Sequence, residues 1–210
     1  MNNFYGNHLP IPLDLDGRAL LGIQFLTHSL DKRYGYLPNI WAIFETGKAF
    51  ARHDFADFGD LTSRYLESLY LAKCMTGSSY GEEEREALEK LFLSYFSHDD
   101  GLSYRPPIKE PFYSETGKRA YQADMAEGFD QSRVMFALIT WFMIAHENQP
   151  RQLFDKLIEG IRSKAVIKDN YMYFEQPSFN HAYHPTLDAP AYSQQLYFAG
   201  TMVMPLVKWY

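Results

Sequence analysis

The residues best suited to chemistry lie in "DMAEGFDQSR", where Asp124, Glu127, Asp130 and Arg133 recur. Glu127, Asp130 and Arg133 are three apart, and on a helix such steps share a face. The spacing predicts a carboxylate–carboxylate–arginine row at the head of a helix that becomes wholly apolar one turn later, in "VMFALITWFMIA". Burial at that position raises the pKa of one carboxyl and suits it to general acid work, while the arginine keeps the other ionised. The plainer alternative is an acidic first turn with an internal ion pair. A second acidic group, "RHDFADFGD", sets His53, Asp54, Asp57 and Asp60 before another apolar helix. Asp60 suits the N-cap there, with the others solvated in the plainer reading. A third group, "YMYFEQPSFNHAYHPTLD", holds Tyr171, Tyr173, Glu175, His181, Tyr183 and His184. Its aromatic and imidazole rings suit stacking on a ring-shaped ligand or packing over one end of the fold. No H-E-x-x-H or comparable spacing supports a metal, and no metal or cofactor is expected.

Six helices would have to position these groups. Apolar periodicity predicts them at Asp14 to Leu30, Leu61 to Met75, Glu82 to Phe96, Asp124 to Glu147, Pro150 to Lys164, and from near Asp188 to Tyr210. The third and fifth are amphipathic with a wet face. The second, fourth and sixth are apolar or small-residue around most of their circumference. Alternation of buried and half-exposed helices predicts an all-α chain in two concentric layers. No segment alternates strand and helix as a parallel sheet would.

The exits from the first, third and fifth helices share a pattern. "SLDKRYGYLP", "SHDDGLSYRPP" and "VIKDNYMYFEQP" each hold an Asp, a short Tyr-bearing piece and a Pro. The aspartates Asp31, Asp100 and Asp169 are separated by 69 residues at each step. Equal spacing in phase with the helices indicates a structural repeat. Asp and Gly in such an exit serve the turn, whereas Tyr104 and Arg105 could hold a carboxylate or sugar hydroxyls.

A repeat of inner helix, outer helix and D-G-x-x-Y exit, carried by "GDLTSRYLESLYLAKCMTG" (Gly59 to Gly77), "EEEREALEKLFLSYF" and "DDGLSYRPP", resembles the α/α-toroid proteins. The six-hairpin glycosidases and related polysaccharide lyases look closest. The resemblance is architectural, and no family-specific catalytic motif matches. It implies a partial (α/α) toroid, roughly half of a six-hairpin ring, as a single domain over residues 1–210 or a fragment of one. It also implies a sugar-active enzyme whose cleft holds the inner-helix N-termini. Glycoside hydrolysis needs one carboxylic acid and a second carboxylate as base or nucleophile. Glu127 with Asp130 or Asp57 would supply them, and Arg133, Tyr104, Arg105, Tyr173, His181 and His184 would bind an oligo- or polysaccharide.

Other readings stay open. A uronate lyase would use Tyr and His, with Arg133 or Arg105 on the carboxylate. A non-catalytic helical-repeat module binding glycan or protein explains the repeat without chemistry. A terpenoid-type cyclase fits poorly, because its D-D-x-x-D-type motif is absent. The first helix lacks an inner partner and the sixth an outer one, so a homodimer or a missing remainder would complete the ring.

The totals are consistent with this. A chain of 210 residues buries a sizeable core, and its 16 Tyr, 16 Phe and 3 Trp suit a thick core or a ring-stacking surface. A net charge of −6 without a basic run argues against a nucleic-acid partner. The single Cys74 excludes an internal disulfide and reads as a packing residue. The N-terminal residues lack a signal-peptide pattern, and the most apolar run is too short to cross a bilayer.

Overall fold

The computed structural model describes residues 14–39, 41–45, 47–54, 57–106, 124–175, 178–180 and 201–210. His181 and His184 lie outside these residues. The described chain is mostly helical: α1 (Leu15–His28), α2 (Ser63–Thr76), α3 (Glu82–Leu93), α4 (Gly128–Ala145), α5 (Asn148–Lys164) and α6 (201–209).

Local chemistry sets the boundaries. Asp14 caps α1 by accepting from the Gly17 amide at 2.8 Å. Gly77, at φ 62°, stops α2 in the left-handed conformation that glycine adopts without a Cβ penalty. Three glutamates fill the first turn of α3, where they meet the positive end of the helix dipole.

α4 is the core of the arrangement. Val134, Met135, Ala137, Leu138 and Ile139 are fully buried. It packs on α2 and α5, while α1 and α3 pack on α2. α2 contributes Leu66, Leu69 and Tyr70 to the same core, and Tyr70 stacks on Trp141 of α4 with ring centroids 5.9 Å apart. The amphipathic α5 buries Phe154, Leu157 and Ile161 and leaves its other face in solvent. Cys74 is exposed on α2 rather than packed. Among the described residues no helix is long and apolar enough to cross a membrane.

Each of the three exits folds back on itself. After α1, strand β1 (Leu30–Asp31) pairs antiparallel with β2 (Leu37–Pro38). After α3, the Tyr104 amide returns to the Tyr95 carbonyl at 2.7 Å. After α5, β6 (Val166–Ile167) pairs with β7 (Met172–Tyr173). Asp31 accepts from the Arg33 amide at 3.0 Å and Asp100 from the Leu102 amide at 3.1 Å, the turn role expected of these aspartates.

Two expectations need correction. A β-hairpin, β3 (Trp41–Glu45) with β4 (Lys48–Arg52), stands in a region for which the helical periodicity gave no element; Gly47 turns it at φ 116°. In addition, the fourth helix does not begin at Asp124. Asp124 has φ 54°, and Met125–Glu127 form a strand, β5, paired with β8 (Ser178–Asn180). The Arg105 amide binds the Met125 carbonyl at 3.0 Å. These partners draw residues 125–127 out of the helix, so Glu127 and Asp130 do not share a helix face.

Candidate functional site: a carboxylate cluster at the heads of α2 and α4

The two buried helices α2 and α4 bring their N-terminal ends together. α2 is led by a π-helical turn, Phe58–Thr62, and Gly59 in that turn lies against α4. A Cβ built on Gly59 would stand 2.4 Å from the Cβ of Asp130. A side chain at position 59 would hold the helix heads apart, so the glycine is what allows Asp60 and Asp130 to approach.

Arg105 joins α4 to the strand before it. Its Nε donates to Asp130 Oδ2 at 2.8 Å and its Nη2 to Glu127 Oε2. Asp130 is 2% exposed, Arg105 5%, and the Glu127 side chain 36%. Asp130 Oδ1 is buried without a hydrogen-bond partner. Burial is the largest influence on Asp130 and raises its pKa to about 7, against the lowering field of Arg105 and with help from Glu127 and Asp60.

The other acids are anchored differently. Asp57 is fully buried, and its Oδ2 accepts from the Asp54 amide at 2.9 Å and lies 2.8 Å from His53 Nδ1. His53 Nε2 reaches Asp31 Oδ2 at 3.4 Å, which ties the first exit to the cluster. Asp60 does not cap α2. It accepts from Arg64 Nε at 2.6 Å and faces Arg133 Nε at 3.6 Å, while the Arg133 guanidinium lies over the Phe129 ring at 4.9 Å.

The structure sorts the residues singled out from sequence. Glu127, Asp130 and Arg105 meet at the cluster and Arg133 faces Asp60 beside it, while Asp57 stays in the loop before α2 with His53 and the Asp54 amide. Tyr104 and Arg105 are not open to a ligand: Tyr104 is 2% exposed and its hydroxyl donates to Asp100 at 2.7 Å. Burial, then the Asp100 bond, push the Tyr104 phenol pKa upward. Asp57 likewise holds the loop before α2 in place and does not face solvent. Tyr173 lies in the β6–β7 hairpin and lines a groove with α5 and α6. Among the described residues, no group of three or more His, Cys, Asp or Glu side chains is arranged to hold a metal ion.

Trp41 was not expected at the site. It heads β3, is 51% exposed, and its Nε1 donates to Asp54 Oδ2 at 3.1 Å. An exposed indole held by a carboxylate presents a flat apolar face for stacking. The signal for it was two short aromatic-bearing runs, "WAIFE" and "KAFAR", separated at Thr-Gly.

The cluster sets a pH dependence. The Asp130 pKa is raised, so between roughly pH 4 and 7 the folded chain holds a proton that the unfolded chain releases, and stability falls as pH rises. For His53 burial opposes the charge, but Asp57 and Asp31 outweigh it and raise the pKa. Its contribution is complete below the unfolded value of 6.5 and is lost as pH rises through the folded one. Asp31 is held down to about 2, first by its Arg33 bond, so its contribution is lost only in strong acid. Urea unfolding should therefore show greater stability at pH 5 than at pH 8, by on the order of a few kcal/mol. Asp130→Asn should flatten the lower part of that slope, and an unchanged slope would show that Asp130 ionises normally.

Comparison with protein-family models, curated proteins and solved structures finds no match to this chain.

Proposed function

We propose that the chain is part of an (α/α) toroid and acts as a glycoside hydrolase on an oligo- or polysaccharide, using Asp130 and Glu127. The observation that carries this reading is the convergence of carboxylates at the heads of two adjacent buried helices, with one acid held neutral by burial and the other partly open to solvent. Asp130 is the general acid, Oδ1 carries its proton, and because that oxygen is buried the substrate must part the α2 and α4 heads to reach it. Glu127, steadied by Arg105, is the second carboxylate that the reaction requires. Asp57 and His53 position the loop that brings Asp60 and Gly59 to the site, and exposed Trp41 offers the sugar a stacking face.

A uronate lyase is less well supported. Its carboxylate clamp would be Arg105, which is buried and engaged by Asp130 and Glu127, or Arg133, which faces Asp60. A helical-repeat module that binds glycan without turning it over differs only in outcome. Thermal-shift screening of oligosaccharides, followed by reducing-end assays on those that bind, separates the two. Glu127→Gln and Asp130→Asn should each lower turnover by about 100-fold or more while binding persists. Unchanged rates in both variants would remove these residues from the mechanism, and binding with no turnover in the parent chain would favour the module.

A further inference from the structure

The 69-residue register that relates the exits also relates the helices. One step carries α1 onto α3 and a second carries it onto α5; the same steps carry α2 onto α4 and α6. Packing follows the register. The loop after α1 seats on α3, where Gly35 approaches Leu91 and the Tyr36 hydroxyl donates to Glu83 at 2.9 Å. The loop after α3 seats on α5. A Cβ on Gly101 would stand 2.4 Å from the Lys156 carbonyl oxygen, and one on Gly160 would stand 2.3 Å from that of Asp100.

By the same rule the β6–β7 hairpin after α5 should seat on a further helix of the α1, α3, α5 kind. Among the described residues no helix lies there. Ile167 is 63% exposed, Tyr171 60% and Met172 59%. They border a cavity of about 670 Å³ whose other walls are α5 and α6.

α1 is a helix of the required kind with the corresponding face open. The α5 residues Leu153, Lys156, Gly160 and Ser163 border the seat of the loop after α3. Two register steps back they become Leu15, Arg18, Gly22 and Phe25. Leu15 and Phe25 are exposed, as is Leu21 beside them, and nothing lies within 4 Å of a Cβ built on Gly22. A glycine inside a helix with open space around it lowers helix stability. Its counterpart Gly160 shows what the missing Cβ permits, the close approach of a loop carbonyl. The charges are mixed on both sides, with Arg18 on this face of α1 and Arg162, Lys168 and Asp169 at the cavity.

We infer that the β6–β7 hairpin and its cavity receive α1 of a second copy of this chain, head to tail, and that two copies close about a two-fold axis. Two copies bring together six helices of each kind, so the closure rests on the toroidal reading above, whereas the matching of the two faces rests on the register. A head-to-tail contact closes into a ring only if the rotation between copies allows it, and three hairpins to a chain in a six-hairpin ring would set that rotation at a half turn.

Light scattering at tens of micromolar chain should give the mass of two chains. Gly22→Gln and Phe25→Glu on α1, and Met172→Glu on the hairpin, should each give the mass of one with helical circular dichroism unchanged, since all three positions are open to solvent. Mixing Phe25→Glu with Met172→Glu chains should restore association, because each supplies the face the other lacks. A monomeric parent chain, a dimer indifferent to all three variants, a mixture that stays monomeric, or assemblies longer than two would overturn the proposal. Oligosaccharide binding measured on the same samples keeps the two readings apart: a monomer that binds sugar sinks the dimer alone, and a dimer that binds none sinks the sugar reading alone.

Discussion

Arg105→Met should cost about 3–5 kcal/mol of stability at pH 7.5. The guanidinium is 5% exposed and bridges Asp130 Oδ2 and Glu127 Oε2. Without it the Asp130 carboxylate is left in an apolar surround with neither oxygen paired, since Oδ1 already lacks a partner. Glu127, on the wetter side, can return to solvent and adds little. Asp130 will escape part of the penalty by keeping its proton, because loss of the cation removes what had lowered its pKa. The sign follows: the folded value moves further above the unfolded one, so stability falls more steeply with pH and the loss is smaller at pH 5. Urea titrations of both proteins at the two pH values measure this. Arg105→Met with Asp130→Leu should recover much of the loss, because removing both partners leaves no buried charge. Equal losses at pH 5 and pH 7.5 would show that Arg105 acts through packing and not through the carboxylate.

Gly59→Ala should destabilise the chain by about 1–3 kcal/mol and depress any activity of the cluster more than its stability loss explains. The added Cβ would stand 2.4 Å from Asp130 Cβ, 2.6 Å from Cγ and 2.8 Å from Oδ2. The nearest atom is fixed to the backbone of α4, so no rotamer change relieves it and the two helix heads must separate. Asp130→Ala keeps that Cβ and should not rescue the variant. Rescue by Asp130→Ala in a double-mutant cycle would place the clash at the carboxyl and undo this account.

Much of the helical frame was legible in the residues. Apolar periodicity located five of the six helices to within a few residues at most ends, because burial of one face and capping by Asp14, Gly77 or Gly81 are local effects. The exits at Asp31 and Asp100 were legible for the same reason, since an aspartate bonds amides two residues on. The sixth helix is described only over 201–209. Its expected start at Asp188 lies outside the described residues, as do His181 and His184. The strand at Met125–Glu127 was not legible. Its spacing suits a helix, and the partners that overrule it, Arg105 and Asn180, are distant in sequence. The β3–β4 hairpin had a local signal in its two short aromatic-bearing runs and its Thr-Gly turn, but each strand is only five residues long.

Propensity, capping and periodicity act over a few residues, so a mostly helical chain, the 69-residue spacing of the exit aspartates and a set of carboxylates near helix heads follow from the residues alone. Which of those carboxylates meet, and in what state, depends on packing between segments far apart along the chain. Arg105 is 25 residues from Asp130 along the chain, yet it fixes that group's partner, while burial beneath the α2 turn fixes its proton. Tyr104 and Arg105 look alike in sequence to any exposed ligand-binding pair. Their burial, set by how α3's exit lies on α4 and α5, turns them from ligand contacts into supports.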